Sequence, residues 1–112
     1  TALSSWVATP LTVSFTTAGG SLRIEGTVTA GHSVGGGNFY VGLGFDGAVP
    51  TTIAHIIFSP AANQNVTTTI QQYQALSAGA HTVTVHVFSN LAGTVGLNAA
   101  TSHLLYVTEQ KR

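Results

Sequence analysis

Three residues could form a nucleophilic site. Ser33 sits in Gly31-His32-Ser33-Val34-Gly35, which fits the G-x-S-x-G pattern, and Asp46 and His55 follow it in the order serine, acid, histidine. That pattern works when a strand feeds a helix through a strained turn and lifts the serine hydroxyl above a parallel sheet. Here it runs into Gly36-Gly37-Asn38 and then an alternating aromatic segment, so the stretch reads as a glycine-rich loop before a strand, and no catalytic residue is assigned.

The other chemistry-bearing residues are sparse. Histidines 32, 55, 81, 86 and 103 are of the commonest metal-ligating type. His81 and His86 differ by an odd number along one strand and face opposite sides, and the others lie on separate segments. The expectation is strand histidines, with no metal and no cofactor. Glu25, Asp46 and Glu109 are the only carboxylate side chains. They read as a hairpin residue, a turn residue and a terminal one, which does not make a catalytic pair. With no cysteine, thiol nucleophiles and cysteine-ligated zinc are excluded. The chain is therefore read as non-enzymatic. Asn65-Val66-Thr67 fits the glycosylation acceptor pattern and is read as unmodified.

Charged residues are 5% of the chain, against about 25% in ordinary domains, and none occurs between Gly47 and Thr108. Formal net charge is zero, so little self-repulsion keeps copies apart. A neutral chain without a basic cluster offers no electrostatic footprint for nucleic acid and no attraction for an anionic membrane. No apolar run of about 18 residues marks a membrane span, and no basic and apolar leader marks a signal peptide.

The elements are legible from alternation. Ser77 to Phe88 reads as a turn-forming cluster running into a central strand, with His81, Val83, Val85 and Val87 on one face and Thr82, Thr84, His86 and Phe88 on the other. Leu3 to Ala8 is a short strand carrying Trp6, with Pro10 confining it to an edge or turn. Leu11 to Thr16 and Leu22 to Ala30 alternate around Gly19-Gly20 and predict a hairpin. Phe39 to Phe45 is a strand ending at the Asp46-Gly47 turn. The apolar run from Thr51 to Phe58 predicts a strand covered on both faces. Further strands are expected over Val66 to Tyr73, Thr94 to Leu97 and His103 to Thr108.

Eight or nine short strands make residues 1–112 one all-β domain, an antiparallel β-sandwich of jelly-roll type. The predicted core is Val13, Phe15, Ile24, Val28, Phe39, Val41, Leu43, Phe45, Ile53, Ile57, Val83, Val85, Val87, Leu105 and Val107.

Ser77-Ala78-Gly79-Ala80-His81-Thr82-Val83-Thr84-Val85, then Gly93-Thr94, then Leu104-Leu105-Tyr106-Val107-Thr108-Glu109 resemble small β-sandwich domains in virion structural proteins of tailed bacteriophages. Trp6, Gly35-Gly36-Gly37 and Phe39-Tyr40 fall where those domains place a tryptophan, a glycine loop and an aromatic strand. Ala80 stands where threonine is usual, and Ser102-His103 where a basic residue often precedes the last strand. The resemblance implies a component of the virion surface, often trimeric, serving as capsid decoration or at a tail-fibre tip, and it carries over no catalytic residue.

Two surfaces follow as expectations. A homo-oligomer, a trimer by the resemblance, docked on other capsid or tail proteins would use Thr84, His86, Phe88 and His55. The alternative function, a receptor- or carbohydrate-binding tip of a tail fibre, would use His32, Asn38, Tyr40 and Tyr73 to hold a cell-surface glycan.

Overall fold

A computed structural model describes residues 6–59, 61–89, 95–97 and 104–109. Eight strands lie among them: β1 (Val7–Thr17), β2 (Gly20–His32), β3 (Gly37–Phe45), β4 (His55–Ser59), β5 (Asn65–Leu76), β6 (Gly79–Ser89), β7 (Val95–Leu97) and β8 (Leu104–Glu109). There is no helix among the described residues, and the protein is an antiparallel β-sandwich. One sheet has the order β1-β6-β3-β4. The other has β5-β2-β7, with β8 paired to the same edge of β2 further along.

The pairing is nested. β3 pairs β4, β2 pairs β5 and β1 pairs β6, all antiparallel, so the first six strands form one long ribbon doubled back on itself. Rolling that ribbon until β3 meets β6 closes the first sheet, the winding of a jelly roll. β6 lies between β1 and β3, as its alternation predicts.

The predicted hairpin around Gly19-Gly20 does not form. β1 and β2 lie in different sheets, and their partners are β6 and β5. Gly19 and Gly20, at φ of 97° and 105°, turn the chain from one sheet to the other, a conformation residues with a Cβ rarely adopt. Alternation is the same for a hairpin and for two strands facing each other across a core, so it could not separate the two.

The core sits between the sheets. Leu22, Ile24, Val28, Phe39, Val41, Leu43, Ile57, Ile70, Val83, Val85 and Val87 are buried, and Val13, Phe15, Phe45, Leu105 and Val107 are partly buried against them. Two expectations need correction. Ile53 is exposed and precedes the strand, and Ile56 and Phe58 are exposed. Only the part of the run from His55 onward is strand, an edge strand buried on one face through Ile57. Leu22 and Ile70 join the core although the predicted set omits them.

Candidate functional site

The residues of the G-x-S-x-G reading do not converge. Ser33 lies before β3 and Asp46 just after it. They lie beyond opposite ends of that nine-residue strand, which spans roughly 26 Å at about 3.3 Å per residue. Asp46 is engaged with His81, not His55. Its Oδ2 is 2.7 Å from His81 Nδ1, and its Oδ1 accepts the Thr82 backbone N–H at 2.9 Å. The hydrogen bond from His81, and then that from Thr82, lower the Asp46 pKa. The hydrogen bond to Asp46, and then that to the Ser77 carbonyl, raise the pKa of His81.

His32 is fully buried and therefore lines no binding surface. Its Nδ1 accepts the backbone N–H groups of Val34 and Gly35 at 3.0 and 3.2 Å, and Asn63 N–H donates to its carbonyl. An imidazole that accepts at Nδ1 carries its proton on Nε2, and that nitrogen has no partner among the described residues. His32 anchors the glycine-rich loop from within.

The expected glycan surface is divided. Asn38 and Tyr40 are on the outer face of the first sheet, Tyr73 is on the outer face of the second, and His32 is inside. The expected oligomer face is divided too. Thr84, His86 and Phe88 point outward from β6, whereas His55 is opposite Val41 and shares its inward face at the exposed end of β4. His103 lies outside the described residues. No cluster of three potential metal ligands occurs among the described residues.

The outer face of the first sheet is covered locally by the chain itself. Gly42 lacks a side chain, and a Cβ there would stand 2.9 Å from the Trp6 ring and 2.8 Å from Pro50. The glycine leaves room for both. Phe88 meets Trp6 edge-on at 4.6 Å between centroids and stacks with Tyr40 at 4.7 Å. His86 and Phe88 are consequently 7% and 5% exposed, so neither offers much surface to another copy. Thr84 is half-buried, and its hydroxyl is 2.8 Å from that of Thr12.

An apolar strip remains open beside that aromatic stack. Tyr40 lies between Phe88 and Ile56 in the register, and Asn38 is opposite Phe58. Ile56 and Phe58 are 53% and 58% exposed, with Ile53 and Val49 also exposed nearby in the chain.

On the opposite side of the molecule, the outer face of the second sheet carries Arg23 and Glu25 on β2. Arg23 is opposite Tyr73 of β5, and Glu25 is opposite both Gln71 of β5 and Tyr106 of β8. Tyr106 is not among the residues expected on the glycan surface, yet it is exposed on this face. Its signal was position, since it alternates out of phase with Leu105 and Val107.

No family model matches the chain, and neither a curated protein nor a solved structure matches it. The fold and these two faces define a β-sandwich with an open apolar edge on one sheet and a polar aromatic face on the other.

Proposed function

We propose that this protein is a non-enzymatic structural module of a tailed-bacteriophage virion surface, a capsid-decoration protein that associates with itself as a trimer and docks on other virion proteins. The observation that carries the self-association is the edge strand β4. Its outward residues Ile56 and Phe58 are more than half exposed, and no Lys, Arg, Asp or Glu lies between Gly47 and Thr108 to guard it. Natural sheet edges are normally blunted by charge, proline, bulges or a covering segment. An apolar, uncharged edge is the kind that another copy covers. Burial at about 25 cal/mol per Å² favours association, offset by the cost of immobilising each copy. The virion setting rests on the resemblance of Ser77 to Val85, Gly93-Thr94 and Leu104 to Glu109 to phage structural domains.

Sedimentation equilibrium tests the assembly. The expected mass is about three times the 11.4 kDa of one chain, falling to a single chain in Phe58→Asp with the β-sheet circular dichroism unchanged. A wild-type mass of one chain at all concentrations would refute self-association. The virion placement is tested by electron microscopy of tailed-phage particles incubated with gold-labelled protein. Saturable labelling of heads supports decoration, and bare particles overturn it.

A further inference from the structure

The outer face of the second sheet lies opposite the open apolar edge and is chemically different from it. Tyr73 and Tyr106 are 57% and 55% exposed. They flank β2 from its two neighbours and are offset by two residues along it. With strands about 4.8 Å apart and a rise of about 3.4 Å per residue, the two tyrosine backbones are roughly 12 Å apart. Between them, Arg23 Nε is 3.3 Å from Glu25 Oε1, and both side chains remain more than a third exposed. Gln71 donates its amide N–H to the Tyr73 hydroxyl at 3.2 Å. A shallow hollow of about 310 Å³ beside Tyr106 is lined by Glu25, Thr27, Thr69 and Gln71.

We infer that this face binds a neutral oligosaccharide across Tyr73 and Tyr106. An exposed phenol ring gives an apolar platform for the C–H face of a sugar, and its hydroxyl gives a polar end. Carboxylate, guanidinium and amide groups between the rings supply planar donors and acceptors that can engage vicinal hydroxyls. The charges are self-compensating, Arg23 with Glu25, so the face has no electrostatic preference for a sulfated or phosphorylated ligand or for a strongly charged protein. The tyrosine spacing suits a short chain of sugars more than a single ring. Tyr40, on the other sheet and stacked on Phe88, takes no part.

An NMR titration of the isotope-labelled protein with maltotriose, cellotriose and chitotriose, each at millimolar concentration, tests this. At least one should shift amide signals at Arg23, Gln71, Tyr73 and Tyr106 together. Tyr73→Ala and Tyr106→Ala should each weaken that response about tenfold in apparent Kd, and Tyr40→Ala should leave it unchanged. Unaltered melting temperatures in the two variants separate lost contacts from lost folding. Absence of shifts with all three sugars, shifts confined to another face, or tighter binding of a heparin oligosaccharide would overturn the inference. So would burial of this face from amide exchange in the self-associated protein, which would assign it to a protein contact. Because Phe58→Asp leaves the face intact, that variant should bind sugar as the wild type does even where self-association is lost.

Discussion

His81 and Asp46 are held in one orientation because the imidazole is fixed at both nitrogens. Nδ1 faces Asp46 Oδ2 at 2.7 Å, and Nε2 faces the Ser77 carbonyl at 2.8 Å. Both partners are acceptors, so only the doubly protonated ring can donate to each of them. The pair ties the β3 end to the β6 start at the rim of the sandwich.

This geometry sets a pH dependence. His81 has a raised pKa, so its contribution is fully present below the unfolded value of about 6.5 and is lost as pH rises through the higher folded value. Asp46 has a lowered pKa, so its contribution is present above about 3.9 and is lost as pH falls through the lower folded value. The melting temperature should decline as pH rises above about 6.5, and the decline should be smaller in His81→Gln. Identical wild-type and variant profiles would show that the pair does not couple to folding.

Phe88→Ala should cost about 3 kcal/mol in denaturant unfolding, because a buried aromatic is removed from between two rings. The fluorescence of Trp6, the only tryptophan, should shift to the red as water reaches the ring. Gly42→Ala should produce the same red shift, since the added methyl would crowd both Trp6 and Pro50. An unchanged spectrum in both variants would place Trp6 elsewhere.

Val85 is fully buried in the central strand. Val85→Ala should destabilise by roughly 1–3 kcal/mol with an unchanged denaturant m-value. A loss below about 0.5 kcal/mol would mean that this face of β6 is solvated and that the register is shifted by one residue.

His32→Leu keeps the site filled but removes the acceptor for Val34 and Gly35 N–H. Leaving the buried Gly35 donor and the part-buried Val34 donor unpaired should cost about 1–3 kcal/mol. Hydrogen exchange at Val34 and Gly35 should accelerate more than at the Val83 and Val85 amides of β6. Equal acceleration everywhere would point to general destabilisation instead.

The faces of β6 and β3 were legible because valines and aromatics alternate with threonine, glycine or asparagine along each strand, and period-2 alternation is a local property. Partnership was not. Leu22 and Ile24 alternate as a hairpin strand would, yet they belong to the second sheet and share the core between the sheets with Val83 and Val85 instead of continuing the sheet of β1. The open edge at Ile56 and Phe58 was misread because an apolar run looks the same when buried by the chain and when left for another surface. His32 stood in a segment rich in glycine, where loop composition suggested solvent. It is buried because it closes β2 in phase with Leu22, Ile24, Val28 and Ala30, on the face turned into the sandwich. The Tyr73 and Tyr106 face needed the register of three strands, since nothing in the sequence brings residues 73 and 106 to either side of Arg23 and Glu25.

The nested pairing also orders the entropy of folding. β3 and β4 are joined by the shortest connection of the three nested pairs, so closing it costs least, and each closure shortens the free loop left for the next pair outward. Zipping from the β3–β4 turn through β2·β5 to β1·β6 converts long-range contacts into a succession of short ones. Substitutions at residues such as Val41 and Ile57 are therefore expected to slow folding, which φ-values above about 0.5 there would check. Substitutions at the β1 and β8 margins act chiefly on how fast the structure opens.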